Sequence, residues 1–436
     1  MRKKGLGFFA LASIVIGSQI GSGAFVLPSV LAPFKTIGLF GWGISVSGAI
    51  ALALIFAELA SHLPKNGGPH VYVGEAFGHT ASFFTAWIYW IISWSSSSVL
   101  LVTTVNYLKT ITGTLTAFEN ISIELMILFT VTYVNVIGVK FSGIIETILT
   151  VLKIIPLIVL PIIFFFFFEP SYFDFSIKSV AGETDLLSIL SKTALLTFWG
   201  FIGVECATTP AESVINPSKT IPRAIVWGTI CVALIYVINT VSVIGVTGFE
   251  ALQHTCAPYA TAMGKIFPKY SDVAISMMAI IVCVGTLNAW TLTSSQIAYG
   301  AVSDGLFPKI FAKTNKADAP VFSLWISAIG MVPFLVMSEI NCMQHGIDRL
   351  IDLLVSIFVF VYLVCCISFT KMIKKWYSEK GKRIKMIILS QIAVLFCIFT
   401  LYQDLLASFI VLCIFLALGF PVFWKRRKDI NLFNGK

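Results

Sequence analysis

An all-α membrane protein with about twelve transmembrane helices is the fold class that the sequence predicts. Three observations support this prediction. First, 57% of the 436 residues are hydrophobic and only 12% are charged, whereas soluble chains carry about 25% charged residues. Second, apolar runs of roughly 20 residues, enough to cross a bilayer, recur along the whole chain. Third, glycines interrupt two of these runs, near Gly21 and Gly203, which is typical of transporters built from inverted repeats.

The first span, within the apolar run from Gly5 to Phe34, has the sequence GSQIGSG at residues 17–23. Each glycine costs about 1 kcal/mol relative to alanine in a helix, so we expect the helix to open here. Amides freed in this way can hold an anion such as a carboxylate, helped by the dipole of the half-helix that follows. The alternative is a Gly-xxx-Gly packing face formed by Gly17 and Gly21. This run alone does not decide between the two.

The sixth span contains the second interruption, FWGFIGVEC at residues 198–206. Its Glu205 places a carboxylate near the middle of the membrane, where charged residues are rare and by default mark a site or a pathway. The alternative is an ion-paired or protonated packing group. The second break comes five spans after the first, which predicts two repeats of five helices. The predicted domains are 5–168 and 186–372 for the repeats, 384–424 for helices eleven and twelve, and 425–436 for a basic tail.

Three further polar features lie within spans. Four serines, Ser95–Ser98, follow one another in the third span, and at least some should line a polar space. The eighth span is polar over Gly285–Gln296, which predicts an interior position. Lys153 lies in the fifth span, where an ammonium must find a partner unless it snorkels to the interface.

The basic residues predict the orientation. Most of the 30 Lys and Arg residues fall at the two termini and in the loops that share their side, so the positive-inside rule places both termini in the cytoplasm. The net charge of +9 then reflects topology and attraction to membrane lipids rather than nucleic-acid binding.

The nine cysteines have neither zinc-ligand nor disulfide-framework spacing, and no His-Glu-x-x-His motif occurs. We therefore predict no metal, no cofactor and no enzyme; a membrane-embedded enzyme and a receptor without transport are the disfavoured alternatives.

The motifs resemble those of a known family. The sequences GSG at 21–23, FWGFIGVE at 198–205 with Glu212, NP at 216–217, IPR at 221–223 and DGLFP at 304–308 are similar to the amino acid–polyamine–organocation superfamily. Within it, the chain resembles the basic amino acid/polyamine antiporters, and most of all the bacterial arginine/agmatine antiporters, from about Gly5 to Trp424. The resemblance implies sodium-independent exchange of an amino acid, arginine above all, for its decarboxylation product, agmatine, by alternating access. It also implies a homodimer and a location in the bacterial inner membrane. Proton-coupled uptake of an amino acid or polyamine is the alternative.

The resemblance implies a role for each residue of the first and sixth spans. The substrate carboxylate would lie on the amides of Ser22 and Gly23. The α-amino group would meet the carbonyls of Ile20, Trp199 and Ile202, and the Trp199 ring would cover the bound substrate.

At the far end of the substrate, Trp290 would stack on the cation, an interaction of roughly 0.5–2 kcal/mol. Tyr89 would hydrogen-bond near Glu205, the expected proton-sensitive carboxylate. The alternative for the tryptophans is packing or interfacial anchoring, which suits Trp42 and Trp424 better because they lie at span ends.

The sequence departs from the family pattern at six positions, one of which is Leu100, where we expect a methionine. Ser93 and Ser97 stand where the family has Cys and Asn near the guanidinium. Lys153 stands where the antiporters are apolar and where proton-coupled relatives often have a lysine. His70 stands where the family has a tyrosine in an inside loop. It is expected to be a pH-responsive group or, alternatively, a solvated loop histidine. The tyrosine of the family's gate in span ten has no clear counterpart, since Tyr362 is nearby but off register.

Overall fold

The computed structural model describes residues 6–65, 67–173, 185–209, 211, 214–267, 271–340, 345–402 and 405–432. This part of the chain is all-α. The helices of the first half are α1 (Phe8–Gln19), α2 (Ser22–Leu31), α3 (Ile37–His62), α4 (Pro69–Phe77), α5 (His79–Ser95), α6 (Ser97–Thr112), α7 (Ala117–Ile137) and α8 (Val139–Phe165). Those of the second half are α9 (Leu186–Phe198), α10 (Pro217–Thr247), α11 (Phe249–Gln253), α12 (Pro258–Ile266), α13 (Ser271–Ser303), α14 (Val321–Ile340), α15 (His345–Trp376), α16 (Lys380–Leu401) and α17 (Leu405–Leu432).

The predicted number of spans is confirmed by helix length and composition. Over the described residues, 11 helical segments are long and apolar enough to cross a membrane, and the pair α1 and α2, bent by 40° at its break, brings the number to 12. Helices α5 and α6 together form the third span, and α9 with the turns up to Thr208 forms the sixth.

The first break falls where the sequence predicts it. Helix α1 ends at Gln19 and α2 begins at Ser22. A Cβ on Gly21 would lie 2.9 Å from Cγ2 of Thr286, and one on Gly17 would lie 3.3 Å from Oγ1 of Thr150. The glycines therefore do both things that the sequence left open: the helix is interrupted, and the small residues admit close packing of α13 and α8.

The second break is a longer interruption. Helix α9 ends at Phe198, and two single-turn 3₁₀ segments, Trp199–Phe201 and Cys206–Thr208, flank a turn at residues 202–205. Gly203 has φ of +102°, and a Cβ there would lie 2.9 Å from Oγ of Ser18. Both the backbone conformation and the close approach require glycine.

The helices that carry the breaks are enclosed by others. Helix α1 packs on α10 and α13, while α13 also contacts α5, α6, α7, α8 and α14. Helix α15 packs on α3, α4, α5, α9 and α16. Apolar side chains of α16 and α17, such as Leu395 and Leu406, are exposed to the surroundings as expected for lipid-facing helices. The domain boundaries stay a prediction, and Gly5, Glu212 and residues 433–436 lie outside the described residues.

Candidate functional site

The two helix breaks lie against each other. Oγ of Ser18, just before the first break, is 3.2 Å from the Gly203 carbonyl oxygen in the second. Below them, the Ile215 amide donates to the Leu6 carbonyl at 3.0 Å. Two unwound segments thus meet inside the protein, which is where irregular backbone is tolerated at membrane depth.

Side chains from α10 and α13 satisfy the carbonyls that the first break frees. Tyr236 Oη donates to the Gln19 carbonyl at 2.8 Å, and Thr286 Oγ1 donates to the Ile20 carbonyl at 2.9 Å. Trp290 Nε1 donates to the Ser18 carbonyl at 3.2 Å. A carbonyl oxygen has two lone pairs, so the Ile20 carbonyl keeps capacity for a substrate amine.

The amino end of α2 lies under the Trp199 indole. Trp199 Nε1 donates to Ser22 Oγ at 3.2 Å, and a Cβ on Gly23 would lie 3.0 Å from Cδ1 of the same ring. The Trp199 carbonyl accepts a hydrogen bond from the Ile202 amide at 3.4 Å. An amino-terminal helix end with small residues and an aromatic cover is suited to receive a carboxylate.

A small cavity marks the centre of the site. Its volume is about 30 Å³, room for only a few water molecules, so side chains must shift before an amino acid fits. The cavity is lined by Ser18, Gln19, Gly21, Ser22, Gly23, Ser96, Leu100, Trp199, Ile202, Thr286 and Trp290. The lining therefore brings together Ser22, Gly23, Trp199, Ile202 and Trp290, which the sequence assigns to one site.

A much larger cavity of about 1310 Å³ leads away from this centre to one face of the protein. Ser18 lines both cavities, and His70 and Asp304 line the outer part of the large one. The protein is therefore open towards the face that carries Leu6 and Lys65.

Two tyrosines hold the Glu205 carboxyl group. Tyr89 Oη is 2.6 Å from Oε1, and Tyr362 Oη is 2.5 Å from Oε2. Tyr362 also accepts the Gly203 amide at 3.4 Å, and all three side chains are fully buried. Helix α15 packs beside α9, so that Tyr362 reaches the second break, a contact that the sequence did not predict.

Lys153 is fully buried and lies against α13. A Cβ on Gly285 would be 2.8 Å from its Cε, and Thr150, one turn earlier, packs on Gly17 of α1. The ammonium therefore does not snorkel to an interface, and its side chain sits at the junction of α8, α13 and α1.

The serine run lies at the junction of the two helices of the third span. Helix α5 ends at Ser95 and α6 begins at Ser97, so that Ser96 lies between them and lines the small cavity. Neither Ser93 nor Ser97 is in that lining: Ser93 Oγ donates to the Trp90 carbonyl at 2.7 Å, and Ser97 Oγ has no hydrogen-bond partner among the described residues. Ser96 is the hydroxyl that sequence reasoning missed.

His70 lies in α4 rather than in a solvated loop. It is buried, and its Nε2 is 2.8 Å from Oδ2 of Asp304, which is half-exposed at the end of α13. Gly67, with φ of +125°, leaves room for the imidazole, because a Cβ there would lie 2.6 Å from its Cε1. Over the described residues, no three His, Cys, Asp or Glu side chains come together as a metal site would need.

Trp42 also differs from expectation. Its ring is buried and stacks on Tyr236 at a centroid distance of 5.5 Å, so it supports the site instead of anchoring the protein at an interface. Trp424 is 61% exposed, as an anchor would be.

Comparison with known proteins agrees with this architecture. A family model described as amino acid permease matches residues 6–428. The cadaverine/lysine antiporter of Escherichia coli (strain K12) is 30% identical over 338 residues, which are 77% of this chain and 75% of the relative. The putrescine transporter PotE of the same strain is 27% identical over 361 residues, 82% of each chain, and that of Haemophilus influenzae is 27% identical over 401 residues, 91% of each.

Proposed function

The chain belongs to the amino acid permease family, and from this premise we propose that it exchanges a basic amino acid for the amine left by its decarboxylation. Membership makes it a multi-pass transporter of amino acids or polyamines in the bacterial inner membrane, and not an enzyme. The proposed exchange needs no sodium and proceeds by alternating access. The observation that carries it is the amino end of α2 beneath Trp199, beside Trp290.

The site offers separate contacts to the three polar groups of a basic amino acid. The carboxylate is assigned to the amides of Ser22 and Gly23, and the α-amino group to the carbonyls of Ile20, Trp199 and Ile202. Decarboxylation removes only the first of these contacts. The product amine keeps both of its cationic ends, so one site serves both partners of an exchange.

The identity of the exchanged pair follows from the cation at the far end. The resemblance implies arginine for agmatine. A relative named as a cadaverine/lysine antiporter adds lysine for cadaverine. Ser96, Thr286 and Trp290 are among the residues that line the small cavity, and no carboxylate is among its described lining residues. Compact hydroxyl acceptors favour the small ammonium of lysine over the planar guanidinium.

Proteoliposomes test the exchange directly. Uptake of radiolabelled lysine or arginine is measured into vesicles that are empty, loaded with cadaverine, loaded with agmatine, or given only an inward proton gradient. We expect uptake only into loaded vesicles, fastest for lysine with internal cadaverine. Arginine uptake restricted to agmatine-loaded vesicles would instead support the arginine–agmatine pair. No uptake of either amino acid under any condition would overturn the proposal.

Proton-coupled uptake is the second candidate, favoured by the buried Lys153 beside Gly285. It predicts uptake into empty vesicles when only a proton gradient is present. If Lys153→Met leaves both exchange and uptake intact, this candidate loses its basis.

The orientation and assembly are proposed as well. Both termini are assigned to the cytoplasm, so that the large cavity, which His70 and Asp304 line, opens inwards. A homodimer is assigned from the resemblance. Tyr89, Glu205 and Tyr362 are assigned to gating and proton sensing, together with His70 at the mouth of the cavity.

A further inference from the structure

A buried ion pair joins two helices of the site on the side away from the large cavity. The Lys192 ammonium, on α9, donates to Oδ2 of Asp352, on α15. The two side chains are only 23% and 10% exposed. Neither residue lines either of the two cavities. Bringing two charges out of water costs more than their contact returns unless the geometry is good, so this pair is a poor device for stability alone.

The pair is placed to control access to the site. Lys192 precedes Trp199 by seven residues and Asp352 precedes Tyr362 by ten, which at 1.5 Å per residue puts the pair about 10–15 Å from the site. The opposite end of α15 lies at the cavity side, where Lys375 Nζ is 2.9 Å from the Glu75 carboxylate. Glu75 itself lines the large cavity. The pair therefore links α9 to α15 on the side opposite the large cavity.

The chemistry of the pair matches that of the substrate. Lys192 presents a primary ammonium on a four-carbon stem, the same group that ends a lysine side chain and a diamine such as cadaverine. A carboxylate that accommodates this ammonium can accept the equivalent group of a substrate in its place.

We propose that Asp352 is a binding site for the primary ammonium of the substrate on the side opposite the large cavity, and that Lys192 occupies it while that side is closed. The substrate class rests on the proposed function. When the face opens, the incoming ammonium of the substrate replaces that of Lys192, so that the Asp352 carboxylate exchanges one cationic partner for another. The free-energy cost of breaking the Lys192–Asp352 ion pair is then offset by the new contact between Asp352 and the substrate ammonium.

Substitution of Lys192 and substitution of Asp352 should change the affinity for substrate in opposite directions. Lys192→Met removes the competitor and leaves the carboxylate, so the KM for lysine at this face falls. Asp352→Asn removes the carboxylate, so the KM at this face rises by about tenfold, the usual effect of losing one charge-assisted contact. A pair that only held two helices together would change the KM in the same direction whichever partner was removed.

The experiment measures the KM for labelled lysine at each face, in intact cells and in inside-out vesicles, both preloaded with cadaverine. We expect the opposite shifts at one face and changes of less than about twofold at the other. Lys375→Met is the matched control, because it removes a lysine from an exposed pair at the cavity side, and it should leave the KM at the Asp352 face unchanged. Shifts of one sign in both variants, or equal shifts at both faces, overturn the proposal.

A double variant that lacks both charges distinguishes loss of substrate binding from misfolding. Lys192→Met leaves a buried carboxylate with its cation removed, which can prevent folding, whereas Lys192→Met with Asp352→Asn removes both charges. We expect the double variant to elute as the wild type does on size exclusion and to show the raised KM of Asp352→Asn. A wild-type KM in the double variant overturns the inference. Wild-type protein that moves no lysine or diamine contradicts the proposed function instead, so the two failures are distinguishable.

Discussion

At the scale of single residues, the Glu205 carboxyl group is the most constrained polar group of the site. Tyr89 on α5 and Tyr362 on α15 each donate to one of its oxygens, and the Gly203 amide donates to Tyr362 in turn. Three separate parts of the chain therefore depend on one buried acid. A buried acceptor that loses its donor costs more than the hydrogen bond itself contributes.

Tyr362→Phe tests this network. The substitution removes the donor to Oε2 with almost no change of shape, so we expect the protein to lose about 1–3 kcal/mol of stability and its exchange rate to fall. Thermal unfolding in detergent and proteoliposome exchange measure the two effects. Tyr133→Phe is the control, because Tyr133 is 59% exposed on α7. Equal unfolding temperatures for both variants would contradict the role given to Tyr362.

Trp290→Ala tests the far end of the substrate site. Loss of the indole removes the proposed cation–π contact and the hydrogen bond to the Ser18 carbonyl, so the KM for the basic amino acid should rise about tenfold. Trp424→Ala, at an exposed position, should change the KM little. Trp42 is not a suitable control, since its ring stacks on Tyr236. Similar KM values for the Trp290 and Trp424 variants would remove Trp290 from the site.

At the scale of helices, the two breaks are held in place by glycines that admit a neighbouring segment. Gly203 faces Ser18 and Gly21 faces Thr286, so each break is fixed by contact with another element rather than left flexible. The breaks are therefore a permanent part of the fold.

Gly203→Ala should disrupt the junction of the breaks. A φ of +102° strains an alanine by about 1–3 kcal/mol, and its Cβ would press on Ser18 Oγ at 2.9 Å. We expect a lower unfolding temperature and loss of exchange. Gly43→Ala, within α3 and with nothing within 4 Å of the added Cβ, should be neutral or stabilise by up to about 1 kcal/mol. Full exchange activity in the Gly203 variant would show that the junction is dispensable.

At the scale of the whole molecule, the large cavity defines which face is open. Thr293 lines it, so a cysteine at this position should react with a membrane-impermeant maleimide in inside-out vesicles and far less in intact cells. The reaction of the new cysteine is measured as the labelling in excess of that of the parent chain, since the sequence already contains nine cysteines. Preferential labelling in intact cells would reverse the assigned orientation.

Much of this architecture could be predicted from the sequence, because it depends on local signals. The breaks follow from glycines within apolar runs, and the spans follow from length and hydropathy. Residues whose position depends on packing between helices could not be placed. Tyr362 reaches Glu205 only through the way α15 packs beside α9, and no pattern within α15 reports that.

The serine run shows a second reason why part of the site could not be predicted from the sequence. Successive helical residues point about 100° apart, so assigning the site to Ser97 or Ser96 depends on the exact path of the helix. Helices α5 and α6 meet at Ser96, and which serine faces the cavity depends on packing against neighbouring helices, of which four identical residues give no signal.

The indole hydrogen bonds of the site have a practical consequence. Trp199 and Trp290 each place their N–H on a group of the first helix break, Ser22 Oγ and the Ser18 carbonyl. A ligand that enters the 30 Å³ cavity must displace these rings, and the emission of an indole changes when its N–H loses an acceptor. Two of the ten tryptophans thus form an intrinsic fluorescent reporter, with which substrate binding can be titrated in unlabelled protein before any transport is measured.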